Sequence, residues 1–185
     1  MLPIIIGITG ATGAIYGVNL LKELKKLDVP TILVVSTMGL VTAKQELNLS
    51  AKDLFSLASK NYTNDNLSAS IASGSFLTSG MIVAPTSVRT LSSIANALDD
   101  NLITRSADVV LKERRKLVLM FRETPFNLTH IKLMESITLN GGIIMPPLPA
   151  FYNNPKSIDD IVNHSVARCL DLFGIKNTLT TRWGE

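Results

Sequence analysis

The chain has 185 residues, of which 46% are hydrophobic and 18% charged, with a net charge of +3 and a mean hydropathy of +0.28. That length suits one domain with a sizeable core, and no apolar run reaches the ~20 residues that span a bilayer. A single cysteine, Cys169, excludes an intrachain disulfide and any multi-cysteine zinc site.

The N-terminus lacks the charged region of a signal peptide, so a cytoplasmic protein is expected. Apolar excess without a membrane span points to surface covered by other subunits. Cys169 lies in the apolar-periodic stretch 158–173 and reads as a buried structural thiol.

Five continuous apolar runs predict buried strands: Ile4–Ile8, Thr31–Val35, Met81–Ala84, Leu117–Phe121 and Gly142–Met145. Between them, helical periodicity covers Ala14–Leu27, Met38–Leu47, Val88–Ala97, Arg105–Arg115 and Leu128–Leu139. A last helix, Ser157–Leu172, opens on a Ser-x-x-Asp capping pattern. Strands alternating with helices predict a three-layer, Rossmann-like (flavodoxin-like) α/β fold around a parallel sheet. No internal repeat or linker interrupts it, so residues 1–185 read as one domain, with 174–185 a C-terminal tail.

Ligands in open α/β sheets bind beyond the carboxyl ends of the strands. Loops 9–13, 36–39, 85–90 and 122–127 fall there, rich in hydroxyl, glycine or charged residues. The stretch GITGATGAIYG, residues 7–17, is neither a dinucleotide fingerprint nor a P-loop. Two readings stand for it. Gly10–Gly13 at a helix start would offer backbone N–H groups to an anion, with Thr9 and Thr12 adding hydroxyls. The alternative is a tight turn with close helix–sheet packing. Ser36 and the turn Ser87-Val88-Arg89-Thr90 divide in the same way between helix caps and ligand contacts.

A basic run follows: Arg105, Lys112, Arg114, Arg115, Lys116 and Arg122. Arg105 and Lys112 share a helix face, while Arg114, Arg115 and Lys116 read as solvated. Arg122 and Glu123 stand at a strand's carboxyl end, where an arginine fork suits phosphate and a carboxylate suits proton transfer. The aromatic fraction of 5% is not interleaved with the basic run, so no nucleic-acid partner is expected. His130 and His164 fall in helical segments and read as surface or capping residues.

The stretches GITGATGAIYG, SADVVLKERR, RETP, MPPLPAFY and the terminal RWGE resemble the UbiX-type flavin prenyltransferases, over nearly the whole chain. The resemblance implies transfer of a dimethylallyl group from dimethylallyl monophosphate to N5 and C6 of reduced FMN, without a metal. The product, prenylated FMN, would pass to a UbiD-type decarboxylase. Carried over by position, Gly10, Ala11, Thr12, Ser36, Ser87, Val88, Arg89, Thr90 and Arg122 would bind FMN. Tyr152 and Arg168 would hold the donor phosphate with Lys112, a neighbouring subunit supplying part of the set. Glu46 and Glu123 would stand near the reacting centre, and Trp183 would close over the pocket. The family implies a homododecamer.

Two departures are visible. Thr12 replaces a serine common in the family, and Thr37 stands where many relatives carry lysine, which leaves Thr37 outside the expected site. An FMN-dependent cysteine decarboxylase of the same fold would need an N-terminal histidine and a PASANT-like motif; here the first histidine is His130 and residues 85–90 read PTSVRT. A non-catalytic flavin-binding protein would not need Lys112, Tyr152 and Arg168 as a set.

Overall fold

The computed structural model describes residues 1–184; Glu185, the last residue of RWGE, lies outside them. Six strands form one all-parallel sheet: β1 (Ile4–Ile8), β2 (Thr31–Val35), β3 (Lys60–Thr63), β4 (Gly80–Thr86), β5 (Lys116–Phe121) and β6 (Ile143–Ile144), in spatial order β3-β2-β1-β4-β5-β6. Seven helices cover it: α1 (Ala14–Lys26), α2 (Thr37–Leu47), α3 (Ala51–Phe55), α4 (Val88–Ala95), α5 (Leu102–Lys112), α6 (Leu128–Leu139) and α7 (Ile158–Leu172).

The continuous apolar runs are explained by burial on both faces. Ile4, Ile6 and Ile8 of β1 pack with α1 and α7, joined by Val118 and Met120 of β5. Ile5, with Leu117, Leu119 and Phe121, faces the other way, toward α4, α5 and α6. Cys169 belongs to the first layer, and burial pushes its thiol up to about 12, which removes it as a nucleophile near neutral pH.

Two short elements escaped the sequence pattern. β3 (KNYT) is a largely exposed edge strand without an apolar run, and α3 is one turn set by a Ser50–Asp53 capping box. Helix α5 starts at Leu102, earlier than its periodicity implied. Asn101 caps it by accepting from Thr104 N–H, while Asn64 accepts from Leu102 and Ile103 N–H at 2.7 and 3.1 Å. The Ser157–Asp160 capping box opens α7 as expected.

β1 lies between β2 and β4, so the chain reverses its direction of winding between β1 and β4. This switch point opens a crevice at the carboxyl ends of those strands. Helix α1 crosses close by, because Gly17 has no side chain: a Cβ there would collide with the carbonyl of Ala84 on β4.

Candidate functional site

A cavity of about 280 Å³ occupies the switch point. Gly10, Ser36, Ser87, Arg89 and Thr90, five of the residues expected to bind FMN, line it. Thr37, expected to stand outside the site, also lines the cavity, next to the Ser36 cap of α2. Met38, Asn64, Ser93, Asn101, Ile103 and Thr104 complete the wall and were missed. Ser93 was legible, since Ser87, Thr90 and Ser93 recur every three residues on one helix face. Asn64 and Asn101 were not, because long-range loop packing brings them there.

Three helices begin at this wall. Ser36 accepts from Gly39 N–H at 3.0 Å, Ser87 from Thr90 N–H at 3.3 Å and Asn101 from Thr104 N–H at 3.2 Å. Their N-terminal dipoles converge on one space bordered by hydroxyls, amides and the Arg89 guanidinium, and no acidic side chain lines it. That donor set suits a phosphate with sugar hydroxyls.

The glycine turn is more closed than its sequence implied. Thr9 is 1% exposed; its hydroxyl donates to Pro85 C=O at 2.7 Å and accepts from Ser87 N–H at 2.9 Å. Thr9 therefore ties β1 to β4 and is corrected as a ligand donor. Gly13 adopts φ +100° and offers α1 no side-chain cap. Glu46, reaching across from α2, takes that place. Its carboxylate accepts from Gly13 N–H at 3.0 and 3.1 Å, from Ala14 N–H at 3.0 Å and from the Thr12 hydroxyl. The anion at the start of α1 is thus the protein's own.

Thr12 and Glu46 face Tyr16 and Arg122 across a second hollow of about 390 Å³, floored by Pro147, Ile158 and Val162. Burial raises the Tyr16 phenol above its ordinary value, opposed by the Arg122 charge. Arg122 N–H is fixed by Thr86 C=O at 3.1 Å, and Glu123 accepts from Thr124 N–H at 2.9 Å. Ala11 is half-buried in the turn, and Val88 packs into the core beneath α4. Neither side chain reaches the first cavity.

Tyr152 and Arg168 flank a third region, on the α7 side of the sheet. Tyr152 stacks edge-on against Trp183 at 5.0 Å, and its hydroxyl lies 2.8 Å from His164 Nε2. His164 is 8% exposed, which corrects its reading as a surface or capping residue; His130 does cap, accepting from Asn127 N–H at 3.3 Å. Arg168 pairs with Asp171 at 2.7 Å, and Asp171 also holds Arg182 at 2.8 Å. Arg182 first, then Arg168, hold the Asp171 carboxyl below its ordinary value against the effect of burial. Trp183 is 80% exposed and covers Tyr152, not the switch-point cavity.

Lys112 is not brought to this set within one chain. It ends α5, on the opposite face of the sheet from α7, and pairs with Glu113 at 2.6 Å. It also sits at the amino ends of the strands, roughly 20 Å of β5 away from Arg122 and Glu123. Among the described residues, no group of three or more His, Cys, Asp or Glu could hold a metal ion, and no helix is long and apolar enough to cross a membrane.

A flavoprotein family model matches residues 1–169. The chain is 50% identical to a flavin prenyltransferase UbiX of Thauera aromatica, covering 97% of this chain and 93% of that protein. Its fold superposes with a TM-score of 0.98 on AnUbiX (PadA1), a crystal structure in complex with FMN and dimethylallyl pyrophosphate; identity is 42%, with 100% of this chain and 98% of that one covered. A dodecameric FMN-dependent UbiX-like decarboxylase from Escherichia coli O157:H7 is 45% identical over the full length of both chains, with a TM-score of 0.97. A polar cavity at the switch point, flanking hollows that carry Arg122 and Arg168, and full-length likeness agree: this chain belongs to the UbiX family of flavin prenyltransferases.

Proposed function

We propose that the protein transfers a dimethylallyl group from dimethylallyl monophosphate to reduced FMN, forming prenylated FMN. The observation that carries the reading is the switch-point cavity, where three helix starts and a largely polar wall with Arg89 as its one charged group suit the FMN phosphate and ribityl chain. Reduced FMN supplies the nucleophilic N5 and C6 positions when bound. The residues expected to hold it are Gly10, Ser36, Thr37, Ser87 and Thr90 on that wall, with Thr12 and Arg122 beside the second hollow.

On the donor side, Arg168 and Lys112 place positive charge where the departing phosphate gains negative charge, and Tyr152 donates a hydrogen bond to the same oxygens. Trp183 offers an aromatic face to developing allylic charge. Glu123, at the carboxyl end of β5, is the residue positioned to accept a proton. Glu46 holds Thr12 and the turn in register. Metal-free chemistry is consistent with this arrangement, since cationic side chains replace a Lewis acid at the leaving group.

Lys112 and the Tyr152–Arg168 pair lie on opposite faces of the sheet, so a complete donor set requires more than one subunit. Helix α6 supports assembly: Leu128, Ile131 and Leu139 are exposed, and only Ile137 on that helix is buried. We therefore read the protein as a cytoplasmic homododecamer of single-domain subunits, residues 1–185 with 174–185 a tail, supplying a UbiD-type decarboxylase.

The deciding experiment is anaerobic turnover with FMN, a reductant and dimethylallyl monophosphate, followed by mass spectrometry of the extracted flavin. The flavin mass is expected to rise by one prenyl group. An unchanged mass after full reduction overturns the reading, and a parallel reaction with the diphosphate ranks the two donors.

A further inference from the structure

The donor side contains a buried imidazole that the reading above leaves without a role. His164 lies on α7 beneath Tyr152, with ring centroids 5.5 Å apart and planes crossing at 81°. Its Nε2 is 2.8 Å from the Tyr152 hydroxyl. Phenolic oxygen carries one proton and accepts through its lone pairs. A tyrosine that gives its proton to a phosphate cannot give it to the ring as well. The neighbouring nitrogen must then be the donor, which requires hydrogen on Nε2.

We propose that His164 is a positioning residue for the donor phosphate: in its Nε2–H form it donates to Tyr152 Oη and turns the tyrosine proton outward toward that phosphate. The inference rests on the prenyl-transfer reading, in which Tyr152 holds the phosphate.

The surroundings fit the role. Ile143, Ile144, Met145, Pro146 and Leu148 line the hollow beside the ring and carry no charge. Arg168, one turn along α7, and Asp171, beyond it, are the charged groups that act on the imidazole; α1 contributes Asn19, which reaches Asn163. The tail contributes Arg182, held by Asp171, and Trp183 against Tyr152. Burial and then Arg168 hold the imidazole below its ordinary value, with Asp171 opposing, so the ring is neutral near pH 7. A neutral ring must select a tautomer. Once pH falls through the lowered value, both nitrogens carry hydrogen and a positive charge joins Arg168.

The test is steady-state prenyl transfer by the full-length enzyme, with dimethylallyl monophosphate as the varied substrate and FMN binding measured separately. His164→Phe keeps an aromatic ring without a donor. It is expected to raise KM for the donor about fivefold to tenfold, with FMN affinity and kcat near wild type. His164→Gln retains a terminal N–H and is expected to recover most of that loss. Tyr152→Phe combined with His164→Phe should be no worse than Tyr152→Phe alone. The wild-type KM should fall relative to that of His164→Gln as pH drops from 7 through the lowered imidazole value. The donor's own ionisation is common to both enzymes and cancels in the ratio.

Unchanged KM in His164→Phe, penalties that add in the double variant, or a pH-independent ratio would each overturn the inference. Should His164→Phe fail to fold, the pH ratio for His164→Gln decides alone. Failure of the wild type to prenylate FMN overturns the proposed function instead, a separate and recognisable outcome.

Discussion

The two ends of the reaction are built differently. The switch-point cavity is walled by one chain: N–H groups at the starts of α2, α4 and α5 are capped by Ser36, Ser87 and Asn101, and Thr9 locks β1 to β4 behind them. The donor region is open. Arg168 is exposed and paired with Asp171, Tyr152 is half covered by Trp183, and Lys112 faces away on the other side of the sheet. On the proposed reading, the switch-point wall comes from one subunit, while Lys112 and Arg168 could meet one phosphate only across subunits.

Substitutions can break this contrast, and the largest effect should fall on proton transfer. Glu123→Gln is expected to slow prenyl transfer about 10²- to 10⁴-fold with FMN still bound; flavin absorbance for binding and mass spectrometry for turnover separate the two. Normal turnover would remove Glu123 from the chemistry. Next, Lys112→Ala should cost about 10²- to 10³-fold in rate. Mixing it with Arg168→Ala subunits should restore part of the activity, since each variant supplies what the other lacks. No recovery in mixed oligomers would mean that the donor set is not shared between subunits.

Gly17→Val tests the acceptor side through the fold. A Cβ at Gly17 meets the Ala84 carbonyl, so α1 must move off β4, at a cost of about 1–3 kcal/mol in stability. Thermal unfolding would report it. A smaller change is expected from Ser87→Ala, which removes the α4 cap at about 1 kcal/mol and weakens FMN binding while leaving the donor KM alone.

The smallest effect concerns the tail. The Asp171 carboxyl is depressed by Arg182 and Arg168, so its contribution is fully present above the ordinary carboxylate value of 3.8 and is lost as pH falls through the lower folded value. Emission from Trp183, the only tryptophan, should report loosening of the tail below that range and stay flat above it. A transition near neutral pH would contradict the Asp171–Arg182 tether.

Much of this molecule is written locally. Apolar runs such as Ile4–Ile8 and Leu117–Phe121 announce buried strands because both faces of a parallel sheet are dry, and Ser87, Ser36 and Ser157 announce helix starts because their hydroxyls satisfy the first N–H groups. Motifs around Arg122, Tyr152 and Trp183 carried the family. Local pattern cannot reveal β3, an edge strand whose order comes from pairing with β2. Nor can it show that Asn64 caps α5 from 39 residues away, or that Glu46 occupies the anion position that the glycine turn creates. His164 was misread for the same reason: its periodicity is helical, but only α7 packing under Tyr152 buries it. Apolar strand runs and serine caps such as Ser36, Ser87 and Ser157 depend on neighbours a few residues apart, and sequence determines them. The closing of the glycine turn, the polar wall and the separation of Lys112 from Arg168 depend on which surfaces meet, and only the tertiary structure decides that.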